Sequence, residues 1–314
     1  MALGRLTRMP EPSHLPPRRA AHPQRILHQL GWAGVFLAPN LILVVLFTFI
    51  PMVNGIAISL YDWDVFSEPD YIGTENYTEL FQDKDFWVSM RNTAVYTAVS
   101  VPISLVGSLA LAVILNRKLP GTLLFRTIFF IPVIMSGILV SLTWQWLFNA
   151  DYGPINDFLA RVGIAGPRWL NDPNWSMVAV IIVTIWKNLG FNMVIFLAAL
   201  QEVPRDLYDA ASIDGANQWQ GFRFVTVPMI SAATFFALIV SLINSFQVFD
   251  IVYSMTGGGP GTSTLMVVMY IYKNAFEYFR MGYASAIATV FFVIVLALTF
   301  LQWYFRGRWV HGEA

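Results

Sequence analysis

Residues 204–228 read PRDLYDAASIDGANQWQGFRFVTVP and lie between two long apolar runs. The stretch is too polar for lipid, yet rich in helix-forming residues. Pro204 suits a first helical position, where its missing N–H costs nothing. Arg205 to Ile213 can form about two and a half turns at roughly 3.6 residues each. Asp206 in the first turn favours the helix dipole, and Gly215 suits a left-handed C-terminal cap. Leu207, Ala210 and Ala211 lie close together on one face, so a partner backbone can approach. Read alone, this is a short interfacial helix between two membrane spans.

The rest of the chain makes it a membrane protein. Of 314 residues, 56% are hydrophobic and 12% charged, against about 25% charged in soluble domains. A bilayer core needs roughly 20 apolar residues per helix. Six segments qualify: 30–56, 92–115, 127–149, 177–200, 229–251 and 283–305. An all-α integral membrane fold with six transmembrane helices is expected. The spans do not alternate apolar and polar residues as barrel strands do. The stretch 263–272 (STLMVVMYIY) is too short to span and reads as interfacial or re-entrant. The first span follows too long a lead, and is itself too long, for a cleaved signal peptide.

Three domains follow. Residues 1–28 form a disordered tail rich in Arg and Pro, 29–306 the six-span domain with a polar loop at about 202–228, and 307–314 a short C-terminal tail. Basic residues set the orientation. Arg5, Arg8, Arg18, Arg19, Arg25, Arg117, Lys118, Arg126, Arg205, Arg223, Arg306 and Arg308 fall on one side. Only Lys84, Arg91, Arg161, Arg168, Lys273 and Arg280 fall on the other. The positive-inside rule places both termini and the 204–228 stretch in the cytoplasm. The outer loop 61–90 is acidic and reads as a solvated face.

Several chemistries are excluded. With no cysteine there is no disulfide or thiolate metal site. All four His (His14, His22, His28 and His311) lie in the tails. None of Lys84, Lys118, Lys187 or Lys273 follows a glycine, so no phosphate-binding loop is present. The glycines at 257–259 read as a flexible turn. No catalytic residue, metal site or bound cofactor is expected, and zero formal net charge gives no argument for nucleic acid.

Ionisable and amide groups inside spans mark a solute path. Lys187 lies near a span centre. Asn188 and Asn192 share a helix face at i, i+4. Asn244, Gln247 and Asp250 recur every three residues along the fifth span. Such groups suit sugar hydroxyls, which donate and accept hydrogen bonds, and Trp144, Trp186 and Phe249 offer faces for stacking. The competing reading is hydrogen bonding between helices. Pro51, Pro102 and Pro132 read as static kinks.

Asp209-Ala210-Ala211, Gly215, then Val225, Val227 and Pro228 resemble the cytoplasmic "E-A-A … G … I-x-L-P" loop of ABC importer permeases. The spacing is kept, with Gly six residues after the acid and nine residues between Gly215 and Val225. Asp replaces Glu, a shorter carboxylate, and Val replaces Ile and Leu. The likeness covers roughly 30–305, including YIGTENYTELFQDKDFW, NRKLPGTLLFRTIFFIP, WKNLGFNMVIFLAALQEVP and FQVFDIVYSMTGGGPGTST. This is similar to the sugar-type branch, with a type I importer permease fold. The resemblance implies a carbohydrate importer subunit in a bacterial or archaeal cell (inner) membrane. Its partners are a second permease in a heterodimer, two cytoplasmic ATPase subunits carrying ATP and Mg, and an extracytoplasmic solute-binding protein. It assigns ATPase coupling to Leu207, Tyr208, Asp209, Ala210, Ala211, Asp214, Gly215 and Pro228. Glycerol-3-phosphate or glycerophosphodiesters are the alternative solutes. An ion-coupled secondary transporter predicts inverted repeats and mid-span acids, and neither is seen. A channel has no use for a docking helix.

Overall fold

The computed structural model describes residues 23–117 and 120–309. The expected tails therefore lie outside the described residues at 1–22 and 310–314, as do Arg5, Arg8, Arg18, Arg19 and Lys118. The chain divides into two units, one ending at Asn54 and one beginning at Gly55. Helix Pro23–Val44 passes through a π-helical turn, Val45–Phe49, into Ile50–Ile58, and the unit boundary falls within this last piece. The helix thus begins at Pro23, ahead of the expected tail boundary, and its membrane-length apolar stretch is Gly34–Ile58. Pro23 stands where the missing N–H is harmless, whereas Pro39 lies inside the helix.

Among the described residues, four helices are long and apolar enough to cross a membrane, and two bent helix pairs bring the number to six when each pair is one span. Span 2 is Lys84–Leu115 and span 4 is Pro173–Glu202. Span 6 is Met281–Trp309. Span 3, expected as one helix, is Thr122–Ile134 and Gly137–Leu147, bent by 103°. The break is local: Met135 and Ser136 take extended ψ values of 142° and 136°, at a Ser-Gly pair of weak helix formers. Span 5 also differs. Its helix Ser231–Phe246 ends before Gln247, and Gln218–Met229 precedes it at 66°. A further short helix, Asp250–Met255, follows.

In lipid, helices associate by close packing rather than by the hydrophobic effect, and small residues set the contacts here. A Cβ on Gly190 of span 4 would fall 2.1 Å from the Phe129 carbonyl oxygen of span 3. A Cβ on Gly137 would fall 1.5 Å from Asp250 Oδ2, so the acid fills the space that this glycine leaves. Two apolar clusters result. One joins Tyr96, Val180, Val183, Val252 and Met266. The other joins Ala112, Met193, Phe196, Leu200 and Ile230. On spans 2, 4 and 5 they occupy opposite ends, leaving a level between them.

At the outer end, in the expected orientation, the acidic loop is not merely a solvated face. Asp83 caps span 2, accepting from the Asp85 N–H at 2.8 Å. Its other oxygen accepts from the Tyr283 hydroxyl at 2.5 Å and from the Tyr270 hydroxyl. Burial pushes this carboxyl upward, but the hydrogen bonds from Tyr270, Tyr283 and backbone N–H groups outweigh it and hold Asp83 below the ordinary range. Arg280 pairs with Glu79 at 2.5 Å and lies 4.3 Å over the Tyr283 ring. The 263–272 stretch contains a helix, Val267–Tyr272, with Val267, Met269 and Tyr270 buried. Asn92 Nδ2 donates to the Thr262 and Leu265 carbonyls at 2.8 and 3.1 Å. The glycine turn is pinned rather than flexible: Thr264 Oγ1 donates to Gly259 O at 2.9 Å and lies 2.7 Å from Thr256 Oγ1.

Candidate functional site

The level between the apolar clusters holds a cavity of about 160 Å³, lined from four spans. Span 2 supplies Tyr96, Ser100, Val101 and Ser104. Span 4 supplies Thr184, Asn188, Phe191 and Asn192. Span 5 supplies Ser241, Asn244 and Ser245, and span 3 closes one side with Val133. Asn188, Asn192 and Asn244 are therefore brought together. They behave differently. Asn192 is 2% exposed and donates to Ser241 Oγ at 3.1 Å and Ser104 Oγ at 3.5 Å, so its amide joins three helices. The side-chain amides of Asn188 and Asn244 line the cavity with no hydrogen-bond partner among the described residues, so their donors and acceptors are unused.

Gln247, Asp250 and Lys187 do not line this cavity. The three-residue spacing assumed an unbroken helix, but the helix ends at Phe246. Gln247 is only its C-terminal cap, and Asp250 restarts the chain against Gly137. Trp144 and Trp186 pack on one another, ring centroids 5.5 Å apart. The serine stripe of span 2 was missed. Ser89, Thr93, Thr97, Ser100, Ser104 and Ser108 are all buried, at the helical spacing that identifies a facing stripe. Ser108 Oγ donates to Leu189 O at 2.9 Å, and Tyr96 donates to Thr184 Oγ1 at 3.1 Å.

The second candidate region is the opening stretch. Helix Arg205–Ile213 forms, with Pro204 one position earlier than expected, as its N-cap (ψ 134°). Gly215 has φ +81°. Its N–H donates to Ser212 O at 3.1 Å, and that of Ala216 to Ala211 O at 2.9 Å, the two bonds of a Schellman cap. Asn217 then opens the next helix with a reciprocal box. Its Oδ1 accepts from Gln220 N at 2.9 Å, and its N–H donates to Gln220 Oε1 at 2.7 Å. Sequence reading missed this box, although Asn three residues before Gln is its signal. Because of it, the polar loop ends at 217 rather than about 228, and Pro228 sits within the helix pair leading into span 5.

The helix has two faces. Tyr208 turns inward and its hydroxyl lies 2.8 Å from Thr226 Oγ1. Tyr208 and Ala211 line a cavity of about 390 Å³ under the loop. Asp209, Ala210, Asp214 and Gly215 face outward, as do Leu207, 40% exposed, and Ile213, 86% exposed. Ile213 was not among the expected coupling residues.

A six-span helical chain with a polar level between two apolar ones, and a rigid polar helix between spans 4 and 5, is built as a membrane permease. The comparisons give its family. Residues 95–310 match the model of the binding-protein-dependent transport system inner membrane component, and the chain belongs to that family, whose members are permease subunits of ABC importers. It is 38% identical to the lactose transport system permease protein LacF of Rhizobium radiobacter, covering 87% of this chain and 93% of that one. It is 35% identical to the trehalose/maltose transport system permease protein MalF of Thermococcus litoralis, covering 86% and 91%. In fold it is similar to a chain of the bacterial alginate ABC transporter solved with an alginate pentasaccharide-bound periplasmic protein. The TM-score there is 0.81 at 22% identity, covering 92% of this chain and 98% of that one.

Proposed function

We propose that this permease subunit forms half of the path for a carbohydrate through an ATP-driven importer, and that the helix Arg205–Ile213 docks on a partner ATPase. The observation that carries the path is the pair of unpartnered amides, Asn188 and Asn244, in a cavity set between two apolar clusters. Amides, serines and a tyrosine match sugar hydroxyls, and the relatives named for lactose and for trehalose or maltose support the same class. What supports the docking role is the exposed face of Leu207, Asp209, Ala210 and Ile213, stiffened by the Gly215 cap at the C-terminus of the helix and the Asn217 box just beyond it. ATP and Mg sit on the ATPase pair. A second permease completes the path, and a solute-binding protein delivers the sugar to the outer face. Both termini are cytoplasmic. A calorimetric screen of the partner solute-binding protein tests the solute class: tight binding of a mono- or oligosaccharide is expected, and binding of only amino acids or metals would contradict it.

A further inference from the structure

A larger cavity, about 480 Å³, lies at the outer end of spans 3 and 5 in the expected orientation. Its size falls within the roughly 300–1,000 Å³ of small-molecule sites. The connection between spans 3 and 4 builds one wall, and Met255 and Thr256 at the exit of span 5 build the other. The walls are fixed. Asn156 Nδ2 donates to Ala150 O at 3.3 Å and Pro167 O at 3.1 Å, and its Oδ1 accepts from Trp169 Nε1 at 2.8 Å. Trp169 packs on Phe148 at 4.9 Å and on Trp175 at 5.3 Å. Asn149 Oδ1 accepts from the Asp151 and Tyr152 N–H groups at 3.0 and 3.2 Å.

Arg168, Asn171, Asn149, Trp146 and Tyr152 line this rigid cavity. The Arg168 guanidinium, the Asn171 amide, Asn149 Nδ2, Trp146 Nε1 and the Tyr152 hydroxyl have no hydrogen-bond or ion-pair partner among the described residues, and Arg168 is the one charged residue of the lining. No Asp or Glu is among the lining residues. Of the neighbouring carboxylates, Asp172 caps Asn174 at 2.9 Å and Asp157 pairs with Arg161 at 2.8 Å, while Asp151, between Ala150 and Tyr152, is exposed and not among the lining residues. A lone guanidinium among neutral donors selects an oxyanion, and its planar fork matches a carboxylate in two parallel bonds. The indole of Trp146, 54% exposed, offers a flat apolar face for the C–H side of a pyranose ring. An acidic side chain alone would leave that face unused.

We infer that this cavity is an outer binding site for a carboxylated sugar of the uronate type, with Arg168 holding the carboxylate and Trp146 the ring. The inference rests on the carbohydrate reading above. The test uses the complete importer in phosphatidylcholine nanodiscs without its solute-binding protein, and saturation-transfer NMR with glucuronate, glucose and inorganic phosphate as probes. Glucuronate is expected to give a saturable signal that falls about tenfold in Arg168→Gln, the loss of one charge-assisted bidentate contact, and that survives in Arg161→Gln. Trp146→Ala should weaken the same signal. An equal glucuronate signal in Arg168→Gln, or glucose binding as well as glucuronate, would overturn the site. Displacement of glucuronate by phosphate at equal concentration would overturn it too, making the cavity a general oxyanion site. If the solute-binding protein proves carbohydrate-specific while no Arg168-dependent signal appears, only this site falls. If that protein binds no carbohydrate, the broader reading falls with it.

Discussion

The Tyr208 hydroxyl lies 2.8 Å from the Thr226 hydroxyl oxygen, so the helix of the polar loop is tied directly to the helix pair leading into span 5. In the proposed coupling, a push on that helix would pass through the 66° bend between Gln218–Met229 and Ser231–Phe246 before it reached Ser241, Asn244 and Ser245. Tyr208→Phe removes the bond and keeps the ring. It is expected to cost about 1 kcal/mol locally and to lower the ratio of solute imported to ATP hydrolysed. Hydrogen exchange over 205–226 should quicken while the spans stay protected. An unchanged transport ratio with unchanged exchange would remove Tyr208 from the coupling route.

Asn192 and Asn244 line one cavity but should fail differently. Asn192→Ala strands Ser241 and Ser104, so it should lower the melting temperature of the complex, at a cost of about 1–3 kcal/mol. Asn188→Ala and Asn244→Ala leave no partner stranded. They should leave melting unchanged and weaken uptake by about tenfold. Melting and solute-stimulated ATP hydrolysis measured on all three variants decide it. Destabilisation by Asn244→Ala with an unaltered solute response would take that residue out of the path.

Asp83 gives a pH dependence. Its carboxyl is held below the ordinary range, so it contributes stability above the unfolded value near about pH 4, and this is lost as pH falls through the folded value. Asp83→Asn should therefore melt below wild type at neutral pH, with the two converging below about pH 4. A constant difference across that range would mean that the charge is not what holds Tyr270 and Tyr283.

Orientation is testable because the chain has no native cysteine. In intact cells, a cysteine at His14 should be shielded from an impermeant thiol reagent and one at Glu68 labelled. The reverse pattern would place the loop helix outside the cell and out of reach of any ATPase.

The six spans were legible because each is a long apolar run, and hydropathy records length well. The bends were not. Met135 and Ser136 turn span 3 by changing two ψ angles beside a single Ser-Gly pair, in a stretch still apolar enough overall to read as one span. The helix end at Phe246 was hidden in the same way, and it removed Gln247 and Asp250 from the stripe they were assigned to. That Asn188, Asn192 and Asn244 share one cavity was legible because amides stand out in lipid-spanning sequence. Ser100, Ser104, Ser241 and Ser245 were not, since hydroxyls are nearly neutral in hydropathy and only their spacing marks a common face. Gly215 was readable because a left-handed cap leaves so few choices of residue.

The central claim is that an ordered, capped loop helix transmits ATPase movement to the path. Gly215→Pro tests it most directly. Proline fixes φ near −65°, whereas position 215 has φ +81° and donates its N–H to Ser212 O at 3.1 Å. The measurement is solute-dependent ATP hydrolysis and uptake by the complete importer in proteoliposomes, with loaded solute-binding protein supplied. The account predicts that the variant inserts and assembles its spans but loses uptake and solute-stimulated hydrolysis together. Normal ATPase association with wild-type uptake in Gly215→Pro would contradict it.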